Sequence, residues 1–120
     1  MRKVEKKITD LITSKTNGTA DNTTVIYDSR KGVMTVHLHG NLIATILPTS
    51  VEITLAGWDT NITRSRLHLV LLAVFPRLKD GTPRFTLGRH KGATRLTNHE
   101  GPEDQHTTLS PNMTLIIFRP

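Results

Sequence analysis

The chain has 120 residues, a formal net charge of +6 and no cysteine. Such a length fits one core that buries roughly two-thirds of the unfolded surface. The missing thiols exclude disulfides, zinc–thiolate and iron–sulfur sites and cysteine nucleophiles, in keeping with a reducing compartment.

Residues 3–14 read as a short helix. Val4, Ile8, Leu11 and Ile12 recur at helical spacing on one side, with Lys3, Lys6, Lys7 and Asp10 opposite. Docking on the sheet and fraying both stay open for it. The polar run Asn17 to Asn22 reads as a loop. The basic N-terminus is followed by no apolar run of secretory-signal length. The longest apolar stretch, Leu67 to Phe75 with His68 inside it, is about half the length needed to span a bilayer. The chain is therefore expected to be soluble, cytoplasmic and without a membrane partner.

From Thr23 onward the pattern turns to strand. Thr23–Tyr27, Val33–Leu38, Leu42–Leu47 and Val51–Leu55 are rich in β-branched and apolar residues. The turns between them are Asp28–Gly32, His39–Asn41 and Pro48–Ser50, short enough to make an antiparallel meander. A helix follows from about Ile62 to Phe75, entered through Asp59, Thr60 or Asn61 as N-cap and stopped by Pro76. Apolar residues run around most of its circumference. It is therefore expected to be buried on two sides, against the sheet and against the N-terminal helix, the C-terminal strands or a second copy of the chain. Trp58, next to Gly57 where strand passes into helix, reads as a lid over the end of the core. Arg64 and Arg66 sit early in the helix, where cations oppose the dipole, and Asp59 is a partner within reach.

The last third is less regular. Arg84–Leu87 and Met113–Phe118 read as strands, and the polar stretch 88–111 reads as mostly loop, with one weak strand around Thr94–Thr97. The whole amounts to an α+β domain over residues 1–120. An N-terminal helix and loop (1–22) precede a core domain (23–118), whose meander packs on the main helix 62–75 and is joined by C-terminal strands.

Three constellations bear on chemistry. His37 and His39 lie two apart on an expected strand, so their rings would share a side and offer two ligands to a metal. The alternative puts both on the solvent face while Met34, Val36 and Leu38 fill the core. Second, Arg77, Lys79, Arg84, Arg89, Lys91 and Arg95 face Asp80 alone between positions 77 and 95 and so carry five of the six net positive charges. With His90, they form the candidate surface for nucleic acid or for a partner protein. Aromatic residues that would stack on bases are scarce: one Trp, one Tyr and three Phe. Third, no nucleophile elbow, phosphate loop or dinucleotide fingerprint is present, so neither an enzymatic activity nor a cofactor is expected.

Residues 36–44 (Val36-His37-Leu38-His39-Gly40-Asn41-Leu42-Ile43-Ala44), Gly57-Trp58-Asp59-Thr60 and Thr63-Arg64-Ser65-Arg66-Leu67 form a pattern. With the closing Asn112 to Ile117, it resembles a small domain of unknown function common among uncharacterised proteins of bacteriophages and plasmids. The resemblance implies a phage-type accessory protein, and it implies no catalytic residue. The first expectation is a non-enzymatic protein that binds a host factor, such as an inhibitor of a host or defence protein. Two alternatives stand beside it: a nucleic-acid-binding module using residues 77–95, and a metal-dependent nuclease using His37 and His39. Self-association through helix 62–75 remains open.

Overall fold

The computed structural model describes residues 2–119. Among these, two helices and nine antiparallel strands form a mostly β arrangement of the α+β class. Helix α1 spans Lys3–Ser14 and ends at Lys15, whose left-handed φ of 54° lets the Thr16 N–H reach the Leu11 carbonyl at 3.0 Å. It does not fray. Ile8 and Ile12 are buried, and the helix packs against α2 (Asn61–Val74) and against strands β1 (Gly18–Ala20) and β2 (Thr23–Asp28).

The expected meander is present as β2, β3 (Val33–Leu38), β4 (Asn41–Ile46) and β5 (Ser50–Thr54). It is extended by β1 on one edge and by β9 (Thr114–Phe118) on the other, in the order β1-β2-β3-β4-β5-β9. Strand alternation puts Val25, Met34, Val36, Val51 and Ile53 into the core and leaves Ile26, Thr35, Thr45, Glu52 and Ile116 in a row across the opposite face. Strand β1 falls inside the run read as a loop. It is only three residues long and only Ala20 is buried, so it presents almost no period-two pattern.

The largest departure lies in 88–111. That stretch is not mostly loop: it contains the end of β6 (Phe85–His90), all of β7 (Ala93–Asn98) and β8 (Gln105–Leu109), which form a second, three-stranded sheet. Polar side chains hide these strands because buried positions carry threonine (Thr94, Thr97) as well as leucine. Leu96 and Leu109 turn inward, while β8 is exposed at every position before Leu109. Helix α2 is flanked by α1, β4 and β6, so the second apolar side expected for it is covered by the N-terminal helix and a C-terminal strand. Phe75 at its end meets Phe85 of β6 edge-to-face, with ring centroids 4.9 Å apart. No helix among the described residues is long and apolar enough to cross a membrane.

Candidate functional site

Two connections meet at one end of the six-stranded sheet. The first is the β3–β4 turn, where His39 and Gly40 both take positive φ (51° and 80°), the geometry of a two-residue hairpin that matches strand twist. A bulge opposite Val36 and His37 places one extra residue in β4, so that Ile43 and Ala44 are both buried. The second is the passage from β5 to α2. Ala56 and Gly57 again take positive φ (53° and 85°), the Trp58 N–H closes the turn on the Leu55 carbonyl at 2.9 Å, and the Gly57 N–H is held by the Pro111 carbonyl at 2.8 Å. A left-handed non-glycine residue costs roughly 1–2 kcal/mol, so this turn holds strain at Ala56.

Between the two connections lies an apolar cavity of about 400 Å³, lined by Leu38, Ile43, Leu55, Trp58 and Ile62 among others, with His39 and Thr60 at its polar margin. Trp58 does not cover the end of the core. It is 61% exposed, because the left-handed turn at Ala56-Gly57 carries the ring out to the cavity mouth. Ile62, which also lines the cavity, is 38% exposed.

Directly behind this mouth the start of α2 is tied to the second sheet. Thr60 caps the helix by accepting the Thr63 N–H at 3.2 Å. The Asp59 carboxylate pairs with Arg64 at 2.7 Å, accepts the Thr94 hydroxyl of β7 at 2.5 Å, and lies 3.6 Å from Arg89 of β6. Arg64 also donates to Asn61. The Thr94 hydrogen bond above all, then the charges of Arg89 and Arg64, hold the Asp59 carboxyl below the usual aspartate range, against the opposing effect of its burial.

The other sequence candidates are dispersed. His37 lies on the outer face of β3, its Nε2 3.1 Å from the Thr35 hydroxyl. His39 sits beyond the last residue of β3 in a left-handed conformation, so strand alternation does not carry to it, and it lines the cavity instead. The two rings are not a same-side pair on a strand. Among the described residues, no three His, Cys, Asp or Glu side chains gather as a metal site would require.

Of the basic residues, Arg77 donates to the Gly81 carbonyl at 2.9 Å. Arg84 pairs with Glu100 at 2.6 Å and lies 5.3 Å from the ring centroids of both Phe75 and Phe85. Arg89 donates to the Gly92 carbonyl at 2.7 Å besides facing Asp59. Lys79 is exposed in the connection after α2, and His90 and Lys91 are exposed at the β6–β7 turn. Arg95 lies half-buried opposite Gly88 on the same hairpin. Arg89, His90, Lys91 and Arg95 thus share one hairpin, whereas Arg77, Lys79 and Arg84 stand apart from it.

Sequence reasoning missed Trp58 as a surface residue and Asp59 as the link between the two sheets. The Gly57-Trp58 pair was the available signal, since a glycine able to take positive φ precedes the ring. No curated protein and no solved structure matches the chain. A family model described as Kyanoviridae Gp96 protein matches residues 1–82, which contain α1, β1 to β5, α2 and all the cavity residues named above, and stop short of β6. The match agrees with the phage-type origin implied by the sequence pattern, and the chain belongs to the Kyanoviridae Gp96 protein family of bacteriophage proteins.

Proposed function

We propose that the chain is a non-enzymatic phage accessory protein that acts by binding a host protein, and that Trp58 is the anchor of that contact. One observation carries the reading: the sole tryptophan is 61% exposed at the mouth of an apolar cavity, although burying it would remove a large apolar surface from water. Tryptophan next to a concave apolar surface is the chemistry of a binding hot spot, where a few desolvated side chains supply most of the affinity. The strained turn beneath it supports the reading, because strain is retained where the surrounding structure holds a functional side chain in place. The cavity's residues all lie within the part of the chain that matches the family, whereas the basic hairpin lies outside it. The fitting occupant is an apolar side chain of the host protein, inserted between Trp58 and Ile43.

The test is capture from host lysate on the immobilised protein, followed by reconstitution with the purified partner. Trp58→Ala is expected to weaken the reconstituted complex at least tenfold while leaving the melting temperature nearly unchanged. Recovery of nothing above background, or equal binding by Trp58→Ala, overturns the proposal. Recovery that disappears after nuclease treatment moves the function to the basic hairpin and its exposed His90 and Lys91.

A further inference from the structure

Arg64 and Arg66 are two buried cations on one helix, and they are compensated very differently. Arg64 has Asp59, Thr94 and Asn61 around its guanidinium. Arg66 is 4% exposed, and its only hydrogen bond among the described residues runs from Nε to the Thr23 hydroxyl at 3.0 Å. Among the described residues no carboxylate pairs with it. A buried charge without a counter-charge is costly, and buried ions are ordinarily paired. The position makes matters worse, because Arg66 follows closely on the N-terminal turn of α2, whose positive dipole end repels a cation.

Arg66 does not border closed core alone. The residue forms part of the wall of a cavity of about 470 Å³. Across this cavity the N-cap Arg2 and the first residues of α1 (Lys3, Val4) face early residues of α2 (Asn61, Ile62, Ser65). At the opposite ends of the helices, Ile12 and Thr13 share another cavity with Ala73 and Val74. The helices therefore run parallel, and their positive ends converge on the space that Arg66 borders. The first turn of α2 contains no acidic residue. In α1, Glu5 is already engaged by Arg2, through both the backbone N–H at 3.2 Å and Nε at 2.9 Å. Asp21 stands at the exposed rim of the cavity.

We propose that this cavity is an anion site of the phosphate class, taking free phosphate or the phosphate of a nucleotide, with the Arg66 guanidinium as its charged ligand. First-turn N–H groups of α2 and the Lys3 ammonium complete the donor set. Such an anion supplies the counter-charge that Arg66 lacks and occupies the positive end of two helices at once. This cavity shares Ile62 with the Trp58 cavity but none of the proposed ligands, and the proposal does not depend on a partner at Trp58.

The experiment compares thermal unfolding of the full chain in phosphate and in chloride at matched ionic strength, with adenosine 5′-monophosphate as a second ligand. Phosphate is expected to raise the wild-type melting temperature in a saturable way, as a ligand of the folded state must. In Arg66→Met that response is expected to vanish, with affinity at least tenfold weaker, while Lys91→Ala responds like the wild type. Met is chosen because replacing an uncompensated buried charge by an apolar side chain of similar size tends to preserve folding. Saturation at lower concentration by the nucleotide identifies a nucleotide ligand, and equal or better saturation by phosphate identifies the free ion. Equal melting in phosphate and chloride, or an unchanged response in Arg66→Met, overturns the site. Should Arg66→Met fail to fold, phosphate titration of the wild type followed by NMR decides. Shifts of the Arg66 Nε–H and of the Asn61 and Ile62 amides support the site, and still resonances refute it.

Discussion

The Asp59 carboxylate accepts from Thr94 at 2.5 Å and pairs with Arg64 at 2.7 Å, so one side chain joins the start of α2 to the second sheet. Its folded-state pKa is depressed, which sets the sign of its pH dependence. The stability it supplies is present above the unfolded aspartate value, near pH 4, and is lost as pH falls through the lower folded value. Asp59→Asn is therefore expected to cost about 2–3 kcal/mol at neutral pH, the scale of a hydrogen bond to a charged group. The same change should flatten the acid limb of a plot of stability against pH. Urea melts between pH 3 and 7 check both, and an unaltered acid limb would show that other carboxylates govern acid unfolding. The sequence placed Asp59 near Arg64 but gave no route to Thr94, which is 35 positions away on a strand with little apolar pattern. The exposure of Trp58 was hidden for a related reason: it depends on Ala56 taking a left-handed conformation that alanine disfavours in isolation.

Among the elements, those with a clear period were legible and those without one were not. Helix α1, the four strands of the meander and α2 all bury one face or more, so their apolar spacing matches their geometry. Strands β1 and β8 are edge strands, the first only three residues long and the second exposed before Leu109, so periodicity has little to act on there. The open question of whether α1 docks is settled by Ile8, which is fully buried. Ile8→Ala is expected to destabilise the protein by about 2–4 kcal/mol, as for other core truncations, and Lys7→Ala by less than about 0.5 kcal/mol. Chemical denaturation measures both. Near-equal effects would mean that the helix contributes little and is held only loosely.

At the scale of the whole molecule, the matched region and the folded unit have different boundaries. Residues 1–82 include five strands of the large sheet, but its sixth, β9, comes from beyond them and pairs with β5 from Ser50–Phe118 to Thr54–Thr114. Phe85 and Leu109 of the core, and the buried Thr94, also lie outside the match. A fragment of residues 1–82 is expected to lose cooperative unfolding, bind a hydrophobic dye and associate through the uncovered edge of β5. A fragment that unfolds in one sharp transition at the midpoint of the full chain would locate all the stability in the matched region.

The pairing of β5 with β9 also fixes an order of events during synthesis. Ser50 meets Phe118, so the sheet cannot be completed until nearly 70 further residues have been added. At about 5–20 residues per second this takes on the order of several seconds. The nascent meander spends that interval with β5 as an open edge, and a contact between strands so far apart in sequence closes slowly. Crowded or accelerated expression should therefore divert the chain at this step, and cooler, slower synthesis should raise the folded yield.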